Sequence, residues 1–258
     1  MDYRAICYEK ENNIAKISLN KPDVMNSLVQ EMIDELIVAA KDASEDENIR
    51  AVILTGKGKA FCAGGDINRF SEGFTQTSCI DYVEHIHNFV RTWVGMPKPT
   101  IAMVNGPAVG AGLSLAVMCD LIIASDKAKF GSAFVNMGLI PDLAAVYFLP
   151  RIIGITKARE MMYTGKMISA EEAREIGLAN HIYSSDQLEP MTMKLAEMLY
   201  NGPTLAIRNT KKMLSLSMDM DFNSVLGTEA IAQSVCMLSE ESSEAVSAFL
   251  EKRKPEFH

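Results

Sequence analysis

The sequence predicts an α/β fold with a helical C-terminal region. Short apolar runs of strand length recur at residues 51–55, 100–104 and 121–124, and stretches of helical spacing separate them. This strand–helix alternation continues to about residue 190, as expected of layered α/β proteins. After Pro203 the pattern changes, and residues 205–216, 223–238 and 243–252 read as three helices in succession. The expected division is a core at residues 1–200 and a helical assembly region at residues 201–258.

Taken in order, residues 3–9 and 14–19 read as two strands around an Asn12-Asn13 turn, ended by Lys21-Pro22. Ser27 with Gln30 fits a capping box, and Met32, Leu36 and Ala40 then recur at helical spacing. Gly56-Lys57-Gly58-Lys59 reads as a loop leading into Ala60-Phe61-Cys62-Ala63-Gly64-Gly65-Asp66-Ile67. A helix over about residues 79–94 is closed by Pro97 and Pro99. Residues 100–104 then form a buried strand, and residues 113–118, with no charge on any face, a buried helix. Further strands are expected at 121–124 and 128–130, and a helical segment at 143–149 opened by Pro141. Ser169 with Glu172 makes a second capping box, and Gly177 a helix stop.

Composition narrows the functions. Nearly half of the 258 residues are hydrophobic, enough for a sizeable core, and the net charge of −8 argues against nucleic acid as the main partner. Cys7, Cys62, Cys79, Cys119 and Cys236 are scattered and unpaired in sequence, which suits reduced thiols in a cytoplasm. No apolar run reaches transmembrane length and no basic-then-apolar signal opens the chain. The tail Pro255-Glu256-Phe257-His258 carries no peroxisomal tripeptide, so a cytoplasmic protein is expected.

The chemistry centres on Asn105-Gly106-Pro107-Ala108-Val109-Gly110-Ala111-Gly112, between a buried strand and a buried helix. Its glycines allow a tight turn and close approach of a ligand to bare backbone. The first N–H groups of the following helix lack intrahelical partners and sit at its positive end. They are suited to stabilising negative charge, as half of an oxyanion hole.

These residues, with Ala60 to Ile67, Met118-Cys119-Asp120, Ile140-Pro141-Asp142 and Phe249-Leu250-Glu251-Lys252-Arg253, resemble the crotonase superfamily, the enoyl-CoA hydratase/isomerase family, over nearly the whole chain. The resemblance implies a spiral of repeated β-β-α units, trimers that often pair into hexamers, and an acyl-CoA thioester substrate that brings its own coenzyme A. No metal, other cofactor, nucleic acid or membrane is implied. It places the two oxyanion N–H groups at Gly65 and Ala111, and substrate contacts at Ala63, Gly65, Asp66 and Ile67. Lys21, Phe249 and Lys252 fall where the family contacts the CoA end, and a lysine there suits phosphate as a point charge.

The departures from the family pattern say more. Family hydratases use two glutamates, and the matching positions hold Ser114 and Phe134, expected here as pocket lining. Asp142 is similar to the lone acid of an isomerase branch that includes 3-enoyl-CoA isomerases and ring-opening isomerases of phenylacetate breakdown. Apolar neighbours Leu139, Ile140 and Leu143 should raise its pKa and make it a better base. The expected activity is therefore isomerisation of an enoyl-CoA with Asp142 as proton shuttle. The alternatives are hydration or another lyase or hydrolase reaction of the family.

Plainer explanations stand beside these. Asp142 after Pro141 could simply cap a helix. Gly112-Leu113-Ser114-Leu115-Ala116 lacks the closing glycine of a nucleophile elbow, and Gly110-Ala111-Gly112 lacks the third glycine of a dinucleotide turn. Glu84, His85 and His87 could ligate a metal, but helical residues two apart do not share a face. An RNA-binding role calls for a lysine-rich helix, whereas residues 30–47 are strongly acidic with Lys41 alone.

Overall fold

The computed structural model describes residues 3–71 and 73–257, so His258 of the tail lies outside the described residues. Strands β1 (Ile6–Glu11) and β2 (Ile14–Leu19) form an antiparallel hairpin. Asn12 and Asn13 turn it with φ of 49° and 63°, as a two-residue turn of this hand requires. Helix α1 (Gln30–Glu45) follows, then β3 (Ala51–Gly56), the short α2 (Ile67–Ser71) and the long α3 (Gln76–Val94). Next come β4 (Thr100–Val104), β5 (Ala108–Val109), α4 (Ala111–Val117), β6 (Leu121–Ser125) and β7 (Lys129–Gly131). The remaining core elements are α5 (Ala145–Ile153), α6 (Ile155–Thr164), β8 (Met167–Ser169), α7 (Ala170–Glu175), β9 (His181–Tyr183) and α8 (Leu188–Tyr200). Helices α9 (Thr204–Ser217), α10 (Phe222–Met237) and α11 (Glu240–Glu251) complete the chain.

Two sheets organise these elements. The larger has six strands in the order β1-β2-β3-β4-β6-β9, parallel from β2 onward. The smaller has the order β5-β7-β8. The chain visits the large sheet at β4 and the small one at β5, then the large at β6 and the small at β7, which is the spiral expected from the sequence. The central strands β3, β4 and β6 are buried on both faces, hence their near-continuous apolar runs. Val52, Leu54, Ala102, Val104 and Ala124 face the main core with α1, α3 and α4, while Ala51, Ile53, Ile101, Met103 and Ile123 pack under α8.

Several local expectations are corrected. β1 begins at Ile6 rather than residue 3, because the N–H groups of Arg4, Ala5 and Ile6 donate instead to the Glu35 carboxylate at 2.8, 2.8 and 2.9 Å. The acids of α1 thus bind this edge and the Lys10 ammonium. Ser27 makes no capping box. Its hydroxyl donates to Val24 O at 2.8 Å and α1 starts after Val29 with no side-chain cap. The capping box that does form, Thr75 with Ser78, starts α3 at Gln76, earlier than its apolar spacing indicates. At Ser169 only half of the expected box forms: its side chain accepts from Glu172 N, while the Glu172 carboxylate accepts from Lys166 Nζ at 3.1 Å.

The segment 143–149 is not helical from its start. Leu143 and Ala144 are left-handed, with φ of 47° and 59°, and α5 begins only at Ala145. A bulky Leu in this region is strained. This one is 2 % exposed, and its burial holds the chain in a bend that a helix would straighten.

Candidate active site

The two glycine-bearing stretches meet. Cys62 forms a parallel bridge with Ala108, and Val109 N donates to Cys62 O at 3.0 Å. Leu28 N donates to Gly64 O at 2.8 Å and Ala63 N to Met25 O at 3.0 Å, which lays the first stretch between residues 25–28 and the second stretch. An ideal Cβ on Gly64 would stand 3.2 Å from Val109 O and 3.9 Å from Ala111 N. Gly110 turns the chain from β5 into α4 with φ of 54°, and its N–H donates to Gly131 O at 2.8 Å.

A cavity of about 260 Å³ opens at this junction. Ala63, Gly65 and Ile67 line it from the first stretch, Gly110 and Ala111 from the second, and Phe134 and Asp142 from the segment before α5. Among the described residues, neither the Gly65 nor the Ala111 N–H has an acceptor within the protein, and Ala111 is the first residue of its helix. Tyr82 and Ile86, one turn apart on α3, also line the cavity, as does Leu28 beside Gly64.

Asp142 stands among apolar side chains. Its Oδ1 is buried with no hydrogen-bond partner, and burial pushes the carboxyl pKa up to about 6. A hydrogen bond from its own backbone N–H, and then the charge of His87, oppose this shift more weakly. The carboxylate does not cap α5, whose N-cap is Ala144 without a side-chain bond. The phenol of Tyr82 is raised by its own burial and then by the negative charge of Asp142.

Other expected site residues fall elsewhere. Ser114 does not line the cavity. It is wholly buried within α4, and its hydroxyl turns back to Gly110 O at 3.3 Å. Asp66 is also absent from the lining, and its Oδ1 accepts from Asn68 N at 3.0 Å to open α2. Lys21 pairs with Glu31 at 3.1 Å. Phe249, 82 % exposed, and Lys252, left-handed at the end of α11, do not line the cavity of this chain.

The metal possibility at Glu84, His85 and His87 dissolves. His85 bonds Asp34 of α1 at 2.6 Å while His87 lies 3.5 Å from Glu84, and the described residues bring together no cluster of three or more His, Cys, Asp or Glu that could hold a metal ion. Burial pushes the Cys62 thiol up to about 12, which keeps it protonated and removes it as a nucleophile. No described helix is long and apolar enough to cross a membrane.

Comparison with known proteins agrees with this architecture. The family model described as enoyl-CoA hydratase/isomerase matches residues 9–258. A crotonyl-CoA hydratase of Syntrophomonas wolfei is 34% identical over 258 residues, covering 100% of this chain and 99% of its own. A 1,2-epoxyphenylacetyl-CoA isomerase of Escherichia coli is 35% identical over 250 residues, 96% of this chain and 95% of its own. The crystal structure of an enoyl-CoA hydratase from Bacillus anthracis superposes with a TM-score of 0.93 at 33% identity, covering 98% of this chain and 99% of that one. Spiral, glycine stretches and full-length similarity together establish that this chain belongs to the enoyl-CoA hydratase/isomerase family of the crotonase superfamily.

Proposed function

We propose that this enzyme is an enoyl-CoA isomerase that moves a double bond from the 3,4 to the 2,3 position of an acyl-CoA thioester. The observation that carries the reading is the single carboxylate of Asp142, its Oδ1 buried without a partner, in a mainly apolar cavity beside two free backbone N–H groups. Asp142 removes a proton from the α-carbon and returns it at the γ-carbon. The enolate formed between these steps carries its charge on the thioester oxygen, held by Gly65 N–H and Ala111 N–H. Binding is then strongest where charge develops. A raised carboxyl pKa suits a group that must both take and give back one proton.

Hydration is disfavoured by the same geometry. It needs one group to activate water and another to protonate the α-carbon. Phe134 fills one family acid position, and Ser114 at the other turns away from the cavity. No Lys, Arg or His lines the cavity among the described residues, which favours an uncharged acyl group. The 260 Å³ volume exceeds the roughly 150 Å³ that holds benzene, so the cavity has room for an acyl group of at least that size. Parallel assays of 3-enoyl-CoA isomerisation and crotonyl-CoA hydration test the reading. Isomerisation should be the faster, and faster hydration would overturn it.

A further inference from the structure

We propose that Asn26 and Asn105 are positioning residues that set the separation of the Gly65 and Ala111 N–H groups by gripping one backbone oxygen, that of Ala60. The inference rests on the reading that those N–H groups hold the thioester oxygen.

Asn26 is fully buried and left-handed, with φ of 58°. Its Nδ2 donates to Lys57 O at 2.9 Å, Ala60 O at 2.9 Å and Phe61 O at 3.3 Å, and its Oδ1 accepts from Lys21 N at 2.9 Å. Asn105 approaches from the other stretch. Its Nδ2 donates to Gly58 O at 3.1 Å and Ala60 O at 3.3 Å, and its Oδ1 accepts from Gly56 N at 3.2 Å. Ala60 O is thus held by the segment that binds the Gly65 stretch and by the residue that opens the Ala111 stretch.

The clamp is rigid for steric reasons as well. A Cβ on Gly106 would come within 2.1 Å of Lys59 O, and one on Gly56 within 2.4 Å of Ala60 O. Phe61 N and Cys62 N both donate to Pro107 O at 3.1 Å, which carries the alignment onward to the cavity. Apolar packing alone resists separation of two segments but tolerates sliding. Directional bonds to one carbonyl fix the register that two convergent donors need. Neither asparagine lines the cavity, so each acts only through the backbone.

The test uses the full-length protein as Asn105→Asp, at a half-buried position, and Asn26→Asp. Each keeps the accepting oxygen and replaces the donating nitrogen by an oxygen that repels the carbonyls. The first readout is the infrared carbonyl stretch of an unreactive saturated acyl-CoA bound to each protein, which reports the thioester hydrogen bonds independently of proton transfer. The second is the split between kcat and KM in isomerisation. The parent should lower the stretch relative to free acyl-CoA, and Asn105→Asp should lose some of that shift. Its kcat should fall by about tenfold or more with KM changed less than about threefold. The pH at which the rate rises should not move. Combining both substitutions should cost less than the product of the single effects, because they share one carbonyl. A parent shift retained in full by folded Asn105→Asp, or a kcat that falls only with the folded fraction, overturns the clamp alone. No shift in the parent overturns the assignment of the Gly65 and Ala111 donors, and the clamp with it.

Discussion

Gly112 packs directly on Cys62. An ideal Cβ at Gly112 would lie 2.1 Å from the Cys62 carbonyl oxygen and 2.8 Å from its carbon. That oxygen also accepts from Val109 N, so the contact is between the backbones of the two stretches that build the cavity.

The sequence alone suggests that Gly112→Val crowds the turn that aims Ala111 N–H and leaves the fold largely intact. The contact with Cys62 indicates a larger effect. Even Gly112→Ala must push apart a pair of hydrogen-bonded backbones, which should cost about 1–3 kcal/mol or more and lower Tm by about 2–4 °C per kcal/mol. Turnover of the soluble variant should fall by about a hundredfold, the scale of one lost oxyanion donor. Calorimetry and turnover on the same sample check this, and an unchanged Tm with normal turnover would contradict it.

The rate should follow the ionisation of Asp142. Burial raises its pKa to about 6, and only the carboxylate can remove the α-proton. The rate should therefore be low below pH 6, rise through about 6, and level off above it. A rate profile from pH 4.5 to 8 checks this. A flat profile, or a rise centred at the ordinary aspartate value near 3.9, would contradict it.

The same burial should destabilise the folded protein at neutral pH. Below the unfolded value near 3.8 both states keep the proton and there is no penalty. Between that value and about 6 the unfolded chain ionises while the native Asp142 stays protonated, so stability falls as pH rises, and the full penalty stands above about 6. Asp142→Asn escapes it. Urea melts should show the variant gaining stability over the parent, from near zero at pH 4 to on the order of 1–3 kcal/mol at pH 7.5. A difference that does not change with pH would contradict this account.

Much of the site was legible because its sequence signals are local. The glycine stretches state a need for close backbone approach at Gly110 and Gly112, and the structure supplies that approach against Gly64 and Cys62. Apolar neighbours of Asp142 announced its raised pKa. The contribution of α3 was not read. Tyr82 and Ile86 share the apolar stripe of α3 with Phe89 and Trp93, and only tertiary packing decides which of these meets the cavity. The bend at Leu143 and Ala144 was hidden too, because neither residue type favours the left-handed region and the burial of Leu143 comes only with tertiary packing. At Ser27 the sequence pattern was present, but a nearer acceptor, Val24 O, took the hydroxyl.

The C-terminal helices should mediate assembly. α9 and α10 contain no buried residue, while Ile231, Leu238, Phe249 and Leu250 are 69, 88, 82 and 74 % exposed. So many large apolar side chains in one region call for a partner surface. Light scattering should give a trimer or hexamer at micromolar concentration. A monomer would contradict this expectation.

The central claim is that Asp142 alone shuttles the proton, and Asp142→Asn tests it most directly. Asparagine keeps the shape and loses the base, while the proposed Gly65 and Ala111 N–H donors should still hold the thioester. Isomerisation of a 3-enoyl-CoA by the folded variant should fall by about 10²–10⁴-fold with acyl-CoA affinity little changed. Isomerisation at the parent rate would contradict the account.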